Sequence, residues 1–277
     1  MDGEETSSGY DPRAPGGDAV TYDRPPVSFD ALESVTRELV SRLSRKLPTS
    51  AVRLSDDEAL TNEELDEFCD ALTSDDPSQF RVMFENFRLG GRTLDTLCLR
   101  CIAPAARRLG DRWVTDETGF LEVTLGLTRL HSLQRQLRDD FAIRTRRPVA
   151  GMSALFSPVP GDTHVLGVTM AADFFRRAGW IVDLNMKPDP DRTVEIAITG
   201  GYALIGLSAG CRAVIPDLRA LVVRLRKIQP RPKIILGGHL VTLEPDIADE
   251  LGVDEAFTDV TSAPFVCHTM LTTALEC

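Results

Sequence analysis

The sequence predicts an α + α/β protein in which a helical bundle precedes a doubly wound parallel sheet. Three observations lead to this prediction. Up to residue 143, apolar residues recur at the three- and four-residue spacing of amphipathic helices. From residue 151, short apolar runs alternate with amphipathic segments, which is typical of parallel strands joined by helices. Between the two lies a basic stretch with a proline, residues 144–150, which we predict to be a linker.

The first 25 residues differ in composition from the rest of the chain. They are rich in Gly, Pro, Asp and Ser and carry six acidic residues and two arginines. Such a segment cannot bury enough apolar surface to offset the entropy lost when it becomes ordered. We therefore predict that residues 1–25 form a disordered acidic tail.

Residues 26–143 are predicted to form the bundle from five helices with short connections. Side chains that accept hydrogen bonds from free backbone N–H groups mark three helix starts: Ser28 for the first, Thr61 with Glu64 for the second, and Asp76 before a proline for the third. The first helix carries apolar positions from Phe29 to Leu43.

Glycines mark the predicted helix ends. Gly90 and Gly91 end the third helix, and Gly110 closes a fourth that begins at Thr93. The fifth helix is long and amphipathic. Its apolar stripe consists of Phe120, Val123, Leu127, Leu130 and Leu137.

Residues 151–277 are predicted to form a Rossmann-like, flavodoxin-like domain. The strands are predicted at 153–156, 181–184, 203–207, 234–236 and 255–257. The helices are predicted at 165–178, 191–199, 213–227, 244–251 and 262–275. Ligands bind such sheets beyond the carboxyl ends of the strands. The loops after the first, third and fourth strands are therefore where binding residues are expected.

Composition narrows the class of protein. The net charge is −11 over 277 residues, which argues against direct binding to nucleic acid. No run approaches the roughly 18–20 apolar residues that span a bilayer, and the acidic N-terminus is unlike a signal peptide. We expect a cytoplasmic protein without membrane contact. The C-x-x-C of Cys98 and Cys101 lies in a helical apolar pattern, which favours buried structural thiols over a zinc site.

Three loops carry the candidate binding residues. The first reads Gly-Asp-Thr-His-Val-Leu-Gly and ends at Gly167, the second begins at Ser208 and ends at Gly210, and the third is Gly237-Gly238-His239. Taken singly, the first could be a helix start capped by Asp162, and the glycines could be ordinary turns.

Together these loops resemble the cobalamin-binding signature of methionine synthase and corrinoid proteins: D-x-H-x-x-G, then S-x-L or a variant, then G-G. Forty residues separate Gly167 from Ser208, and 26 separate Gly210 from Gly237, as in that signature. One position departs, because Gly210 stands where the signature often has Leu or a small hydroxyl residue. The departure leaves the details of the nucleotide-tail pocket open.

The resemblance implies a role for each residue. His164 would replace the cofactor's benzimidazole as the lower cobalt ligand, and Asp162 would take its other ring N–H and fix the tautomer. Ser208 would hydrogen-bond the displaced base, and the glycines would open a slot for the nucleotide tail. The predicted cofactor is hydroxo-, methyl- or adenosylcobalamin, with haem as the alternative. The predicted cofactor-binding residues are Asp162, Thr163, His164, Leu166, Gly167, Ser208, Gly210, Gly237, Gly238, His239 and Trp113, with His164 as the metal ligand.

The segment from Leu109 to Trp113 resembles the L-G-x-x-W turn of helical bundles that cap the upper face of the cofactor. This implies that Trp113 lies over the corrin; the alternative is a Trp packed in the bundle core. Light-sensing CarH-type proteins carry a Glu-His pair ten residues after such a Trp, where this chain has Val123 and Thr124. Their upper-face chemistry is therefore not implied, and His131 is expected to be a partly exposed helix residue.

The chain also differs from CarH-type regulators at its start, because residues 1–75 are acidic and show no basic recognition helix. Residues 26–275 resemble the PpaA/AerR family, which are antirepressors of photosynthesis genes that bind a repressor of the PpsR/CrtJ type. The resemblance implies a light-responsive transcriptional regulator that acts through its partner and does not itself read DNA. A corrinoid methyl carrier for a methyltransferase and a haem redox sensor on the same scaffold stay open. No paired catalytic carboxylates, Ser-His-Asp order or phosphate loop is present, so we do not expect an enzyme.

Overall fold

The computed structural model describes residues 59–143 and 148–273, without the side chains of residues 140–143. All of these residues belong to one compact unit, Ala51–Cys277. The predicted acidic tail, the first predicted helix and residues 144–147 of the predicted linker lie outside the described residues.

A helical bundle forms the first part of the described chain. Two of its helices begin at the predicted caps. Thr61 Oγ1 accepts a hydrogen bond from the backbone N–H of Glu64 at 3.1 Å, and Asp76 Oδ1 accepts one from that of Ser78 at 2.8 Å. The helices are α1 (Asn62–Thr73), α2 (Pro77–Leu89), α3 (Leu94–Thr96), α4 (Ala103–Val114) and α5 (Phe120–Ile143), with a π-helical segment (Leu97–Ile102) joining α3 to α4.

Two details of the predicted bundle were wrong. Gly110 does not close the fourth helix, which continues to Val114. The additional turn is held because Arg112 reaches back to α1 and pairs with Asp66 at 2.8 Å and with Asp70 at 2.6 Å. Phe120 is not part of a buried stripe: it stands at the first position of α5 and is 73% exposed.

A parallel five-stranded sheet follows, in the order β2-β1-β3-β4-β5, which is the flavodoxin-like doubly wound order. The predicted fold class is therefore confirmed. The strands are β1 (Ser153–Pro158), β2 (Ile181–Leu184), β3 (Leu204–Ser208), β4 (Lys233–Gly237) and β5 (Glu255–Phe257). The helices are α6 (Leu166–Arg177), α7 (Pro190–Gly200), α8 (Ile215–Leu225), α9 (His239–Leu243), α10 (Ile247–Leu251) and α11 (Ala263–Thr273).

Within the predicted helix at 244–251 only Ile247–Leu251 is helical, and a helix that was not predicted lies before it, so this region contains two short helices. The first, α9, begins at His239, directly after the glycine pair, and α10 follows after a break. The break contains Pro245, which lacks the N–H that a continuous helix would use. His239 therefore lies at a helix start and not within a loop.

Helix α6 joins the two halves of the described chain. Met170 and Phe174 on one of its faces belong to the apolar core of the bundle, while Val168 and Phe175 on the other pack in the core of the sheet. A buried hydrogen bond also connects the halves, from Thr169 Oγ1 to the side-chain oxygen of Gln134 in α5 at 2.9 Å. The bundle and the sheet are thus coupled through a helix that starts two residues after His164.

Asp254 stabilises the sheet at the start of strands β4 and β5. Burial by itself raises the pKa of this carboxyl, but a hydrogen bond from the Ile234 N–H and ion pairs with Arg226 and Lys233 outweigh it and hold the pKa below its usual range. We expect Asp254→Asn to lower the free energy of unfolding by about 2 kcal/mol at pH 7. Urea unfolding measures this change.

The sign of the pH dependence follows from the lowered pKa. The stabilisation is fully present above the unfolded-state pKa of about 3.9 and is lost as the pH falls through the lower folded-state pKa. The gap between wild type and Asp254→Asn should therefore shrink below about pH 4. The control is Asp191→Asn, which removes an 87% exposed carboxylate from its pair with Arg224 and should leave stability unchanged. Equal losses in both variants would contradict the prediction.

Candidate functional site

The loop after β1 is tied to the loop after β3 through one buried carboxylate. Asp162 Oδ1 accepts a hydrogen bond from the backbone N–H of His164 at 2.8 Å and lies 2.6 Å from His164 Nδ1. Asp162 Oδ2 accepts the backbone N–H of Gly210 at 2.5 Å. Asp162 does not cap the following helix, because α6 begins at Leu166 without a side-chain cap. Its carboxylate instead holds the histidine and brings together two of the predicted loops.

The pairing sets the chemistry of His164. The hydrogen bond with Asp162 raises the pKa of the imidazole against the opposing effect of burial. Burial raises the pKa of Asp162, but the hydrogen bonds from His164 and Gly210 outweigh it and lower that pKa. When Nδ1–H donates to the carboxylate, Nε2 carries the free lone pair of the neutral ring. The His164 side chain is 69% exposed, so the loop presents an oriented imidazole suited to binding a metal.

Gly210 is explained by the position of this imidazole. A Cβ at residue 210 would lie 2.7 Å from His164 Nδ1 and 3.0 Å from its Cγ, which is closer than real Cβ contacts. The same residue donates its N–H to Asp162. The departure from the cobalamin signature therefore has a local reason, because a side chain at this position would push the ring away from the carboxylate.

We accordingly expect Gly210→Ala to weaken the ligand function of His164 while leaving the fold intact, since the overlapping atoms belong to an exposed side chain that can turn towards solvent. The affinity for hydroxocobalamin should fall about tenfold, the lower end of the effect of losing a partner that orients a metal ligand. Absorption titration measures the affinity, and urea unfolding should show little change in stability. A variant that binds as tightly as wild type would disprove this role for Gly210.

A cavity of about 720 Å³ lies on the sheet face covered by α6 and α11. Four predicted residues line it: Gly167, Ser208, Gly237 and Gly238. The wall also contains residues that the sequence reasoning missed. These are Phe156 and Gly206 of the strands, Thr258, Asp259, Val260 and Thr261 after β5, and Leu99, Arg100, Ala103 and Arg107 of the bundle.

The missed residues after β5 had a signal in the sequence, because they also follow the carboxyl end of a parallel strand. The bundle residues had none, since only the packing of the bundle on α6 brings them to the sheet.

The cavity wall leaves room for a ligand beside the Ser208 hydroxyl. At Gly167 a Cβ would lie 4.0 Å from Ser208 Oγ, so larger side chains there would enter the space beside the hydroxyl. Gly238 has a φ of +99°, a conformation that glycine alone adopts readily. An exposed imidazole at His164, three residues before the cavity-lining Gly167, together with the glycines of the cavity wall fits a cofactor that has both a metal and a detachable nucleotide tail. These residues therefore fit a cobalamin.

The other predicted site residues do not line this cavity, and these include Asp162, His164 and Gly210. Thr163 and His239 are exposed, and Leu166 packs against the apolar core of the bundle. Trp113 lies in the last turn of α4, is 51% exposed and is therefore not packed inside the bundle core. The contact of these residues with a cofactor stays a prediction.

The described residues contain neither a three-residue metal cluster nor a helix that could span a membrane. Within residues 59–143 and 148–273, no group of three or more His, Cys, Asp or Glu side chains could hold a metal ion. Cys98 and Cys101 are buried thiols, as predicted, and burial raises the pKa of Cys101 to about 12. His131 is half-buried, and burial together with the charge of Arg135 lowers its pKa. None of the described helices is long and apolar enough to cross a membrane.

Comparisons with known proteins agree with this geometry. Residues 152–264 match the family model of the B12 binding domain. The chain is 24% identical over 180 residues to a Rhodobacter capsulatus protein named "Uncharacterized 20.5 kDa protein in bchF-crtJ intergenic region", covering 65% of this chain and 94% of that one. The Methanosarcina barkeri monomethylamine corrinoid protein shares the fold with a TM-score of 0.63 at 16% identity, covering 75% of this chain and 98% of its own.

Proposed function

We propose, from the premise that residues 152–264 form a B12-binding domain, that this chain is a cobalamin-binding transcriptional regulator acting through a partner protein. The observation that carries the proposal is the oriented imidazole of His164, three residues before Gly167 in the wall of a cavity that three further predicted residues also line. When bound, the corrinoid supplies an upper-ligand bond that light can break or that exchange can alter. We further propose that the protein is cytoplasmic and is not an enzyme.

Residues of the sheet domain hold the cofactor from one side. His164 binds the metal through Nε2, and Asp162 holds the ring in the required tautomer. Gly167, Gly237 and Gly238 leave room for the nucleotide tail, and the Ser208 hydroxyl is positioned to hydrogen-bond its base. Haem fits this arrangement less well, because it has no nucleotide tail to occupy the cavity.

The bundle supplies the opposite side. Ala103 and Arg107 of α4 line the cavity, and Val114 follows Arg107 by two helical turns on the same face. Val114 is 78% exposed, and the exposed apolar side chains of Trp113, Phe120 and Leu121 are near it in the chain. Exposed large apolar side chains that are close in the chain are candidates for a binding surface. We propose that it covers the upper face of the corrin, as expected for Trp113.

The shared helix α6 is suited to transmit a change at the cofactor. It starts two residues after His164, and its side chains belong to the cores of both the sheet and the bundle. A shift of the His164 loop therefore changes the packing of the bundle. Such a switch requires that the ligand bind two arrangements of the protein with different affinities.

The proposed partner is a repressor of the PpsR/CrtJ type. The name of the Rhodobacter capsulatus relative places it between bchF and crtJ, and the latter carries the name of this repressor class. This location supports an antirepressor of photosynthesis genes that works without sequence-specific DNA binding of its own.

A methyl carrier for a methyltransferase is the second candidate. It is favoured by the shared fold of the monomethylamine corrinoid protein, which extends over 98% of that chain. A carrier has to cycle its cobalt through the Co(I) state and accept a methyl group. A regulator instead has to change its affinity for a transcription factor.

Two measurements test the proposal. Absorption spectra of the protein mixed with hydroxocobalamin or adenosylcobalamin, in the dark and in light, should show a retained corrin spectrum that depends on light for the adenosyl form. A gel-shift assay of the repressor on its operator should then show a change in DNA affinity with the loaded regulator and none with the regulator alone. Methyl transfer to the loaded protein without any effect on the repressor would favour the carrier. A Soret band without corrin absorption would favour haem.

A further inference from the structure

Two arginines of the bundle face the cavity that otherwise belongs to the sheet domain. Arg100 lies in the π-helical segment and Arg107 lies in α4. Both line the cavity together with Leu99 and Ala103. The remaining wall is mainly apolar or glycine, so these two guanidinium groups determine much of its charge.

The π-helical segment contributes to this arrangement. The backbone N–H of Ala103 bonds to Cys98 O, five residues back, so that the helix is wider there than a regular α-helix. Leu99 and Arg100, which lie in this segment, line the cavity together with Ala103 and Arg107 of α4. Single π-helical turns within α-helices occur frequently at functional sites.

The charge at this wall favours an anion. Burial lowers the pKa of Arg107, the carboxylate of Asp111 opposes that effect, and the positive charge of Arg100 lowers the pKa further. Both arginines line the cavity, and their positive charges attract an anion bound there. Asp259 is the acidic residue of the wall, and its carboxylate accepts hydrogen bonds from the backbone N–H of Thr261 at 2.9 Å and from its hydroxyl at 2.5 Å.

We propose that Arg100 and Arg107 form a phosphate-binding subsite that holds the phosphodiester of the cofactor's nucleotide tail. The proposal rests on the proposed cobalamin-binding function and adds a specificity to it. A phosphodiester joins the corrin to the base in cobalamin, so it has to pass along the cavity that Ser208 and Arg107 line. Arginine binds phosphate oxygens through paired N–H donors. The bundle would thereby distinguish complete cobalamin from corrinoids without a phosphate.

The test compares two corrinoids that both lack the base. Cobinamide has no tail phosphate, whereas cobinamide phosphate has one, so their affinity ratio isolates the contribution of the phosphate. For the wild type we expect cobinamide phosphate to bind about tenfold more tightly, as for a charge-assisted hydrogen-bonded pair. The ratio should fall towards one in Arg107→Gln and decrease at high salt. Arg107→Lys should retain part of it.

The matched control is Arg135→Gln, which removes an exposed arginine of α5 that does not line the cavity. This variant should show the same ratio of affinities for cobinamide phosphate and cobinamide as the wild type. If Arg100→Gln and Arg107→Gln both keep the wild-type ratio while binding hydroxocobalamin with the same corrin spectrum, the subsite is disproved and the proposed function stands. If the wild type retains no corrinoid at all, the proposed function fails and this inference fails with it.

A free anion is distinguished by a separate measurement. With saturating hydroxocobalamin bound, inorganic phosphate should raise the melting temperature of the wild type no more than that of Arg107→Gln, because the tail phosphate already occupies the subsite. If inorganic phosphate stabilises the wild type alone and the corrinoid ratio is unaffected by the variants, the arginines bind a free anion and the assignment to the tail is overturned.

Discussion

His164→Ala is expected to abolish coordination of cobalt by the protein and to weaken hydroxocobalamin binding by about 100-fold or more, because loss of the ligand exceeds the 10- to 100-fold effect of losing a residue that only orients one. The absorption spectrum and a binding titration measure both effects. The affinity of Asp162→Asn for hydroxocobalamin should lie between that of His164→Ala and that of the wild type. Its side chain keeps an oxygen acceptor but loses the charge that fixes the His164 tautomer.

The control for this result is His268→Ala. His268 lies in α11, contacts Met152 Sδ through Nδ1, and does not line the cavity. Its loss should leave the corrin spectrum and the affinity unchanged. If His164→Ala binds hydroxocobalamin with wild-type affinity and spectrum, His164 is not the lower ligand and the reading of the loop after β1 is wrong.

Gly238→Ala is expected to lower the free energy of unfolding by about 3 kcal/mol or more, the combined cost of backbone strain and steric overlap. Gly238 has a φ of +99° and a ψ of 177°, in a region that is almost restricted to glycine. A Cβ there would overlap Ala209 O and lie 2.9 Å from Ala209 N. These atoms cannot move aside, because they accept the N–H of Leu240 and donate to Gly237 O, both at 3.0 Å.

Gly252→Ala separates the overlap from the strain. Gly252 also has a positive φ, of +65°, but no atom lies within 4 Å of the position of an added Cβ. This variant should lose only about 1 kcal/mol, the cost of the left-handed conformation. Urea unfolding of the two variants measures the difference. Equal losses would mean that the close approach of Ala209 does not matter, and that the glycine pair was selected for backbone conformation alone.

The elements that could be predicted from the sequence are those set by local interactions. The caps at Thr61 and Asp76 depend on residues two or three positions away, and both form as expected. The strand positions followed from short apolar runs between turns, and the parallel order followed from the intervening helices. The three loops with His164, Ser208 and Gly237 could be identified because parallel strands present their carboxyl ends at one edge.

The failures have different causes. Gly110 is a helix terminator by local propensity, but the ion pairs of Arg112 with α1 stabilise the turn beyond it. These contacts join segments that are distant in the chain, and a single sequence does not contain their geometry. Phe120 has helical spacing with the buried residues of α5, yet its place at the helix start leaves it exposed.

By itself, the sequence determined the fold class, the cobalamin signature and the histidine that could bind the metal, because each depends on residue type and spacing along the chain. Only the tertiary structure decided why residue 210 is glycine, since the reason is an imidazole from another loop that occupies the space of its Cβ. Only the structure placed Arg100 and Arg107 in the cavity wall, since α6 packs into the bundle and brings these bundle residues to the sheet. Packing between distant segments produces both results, and no local pattern encodes it.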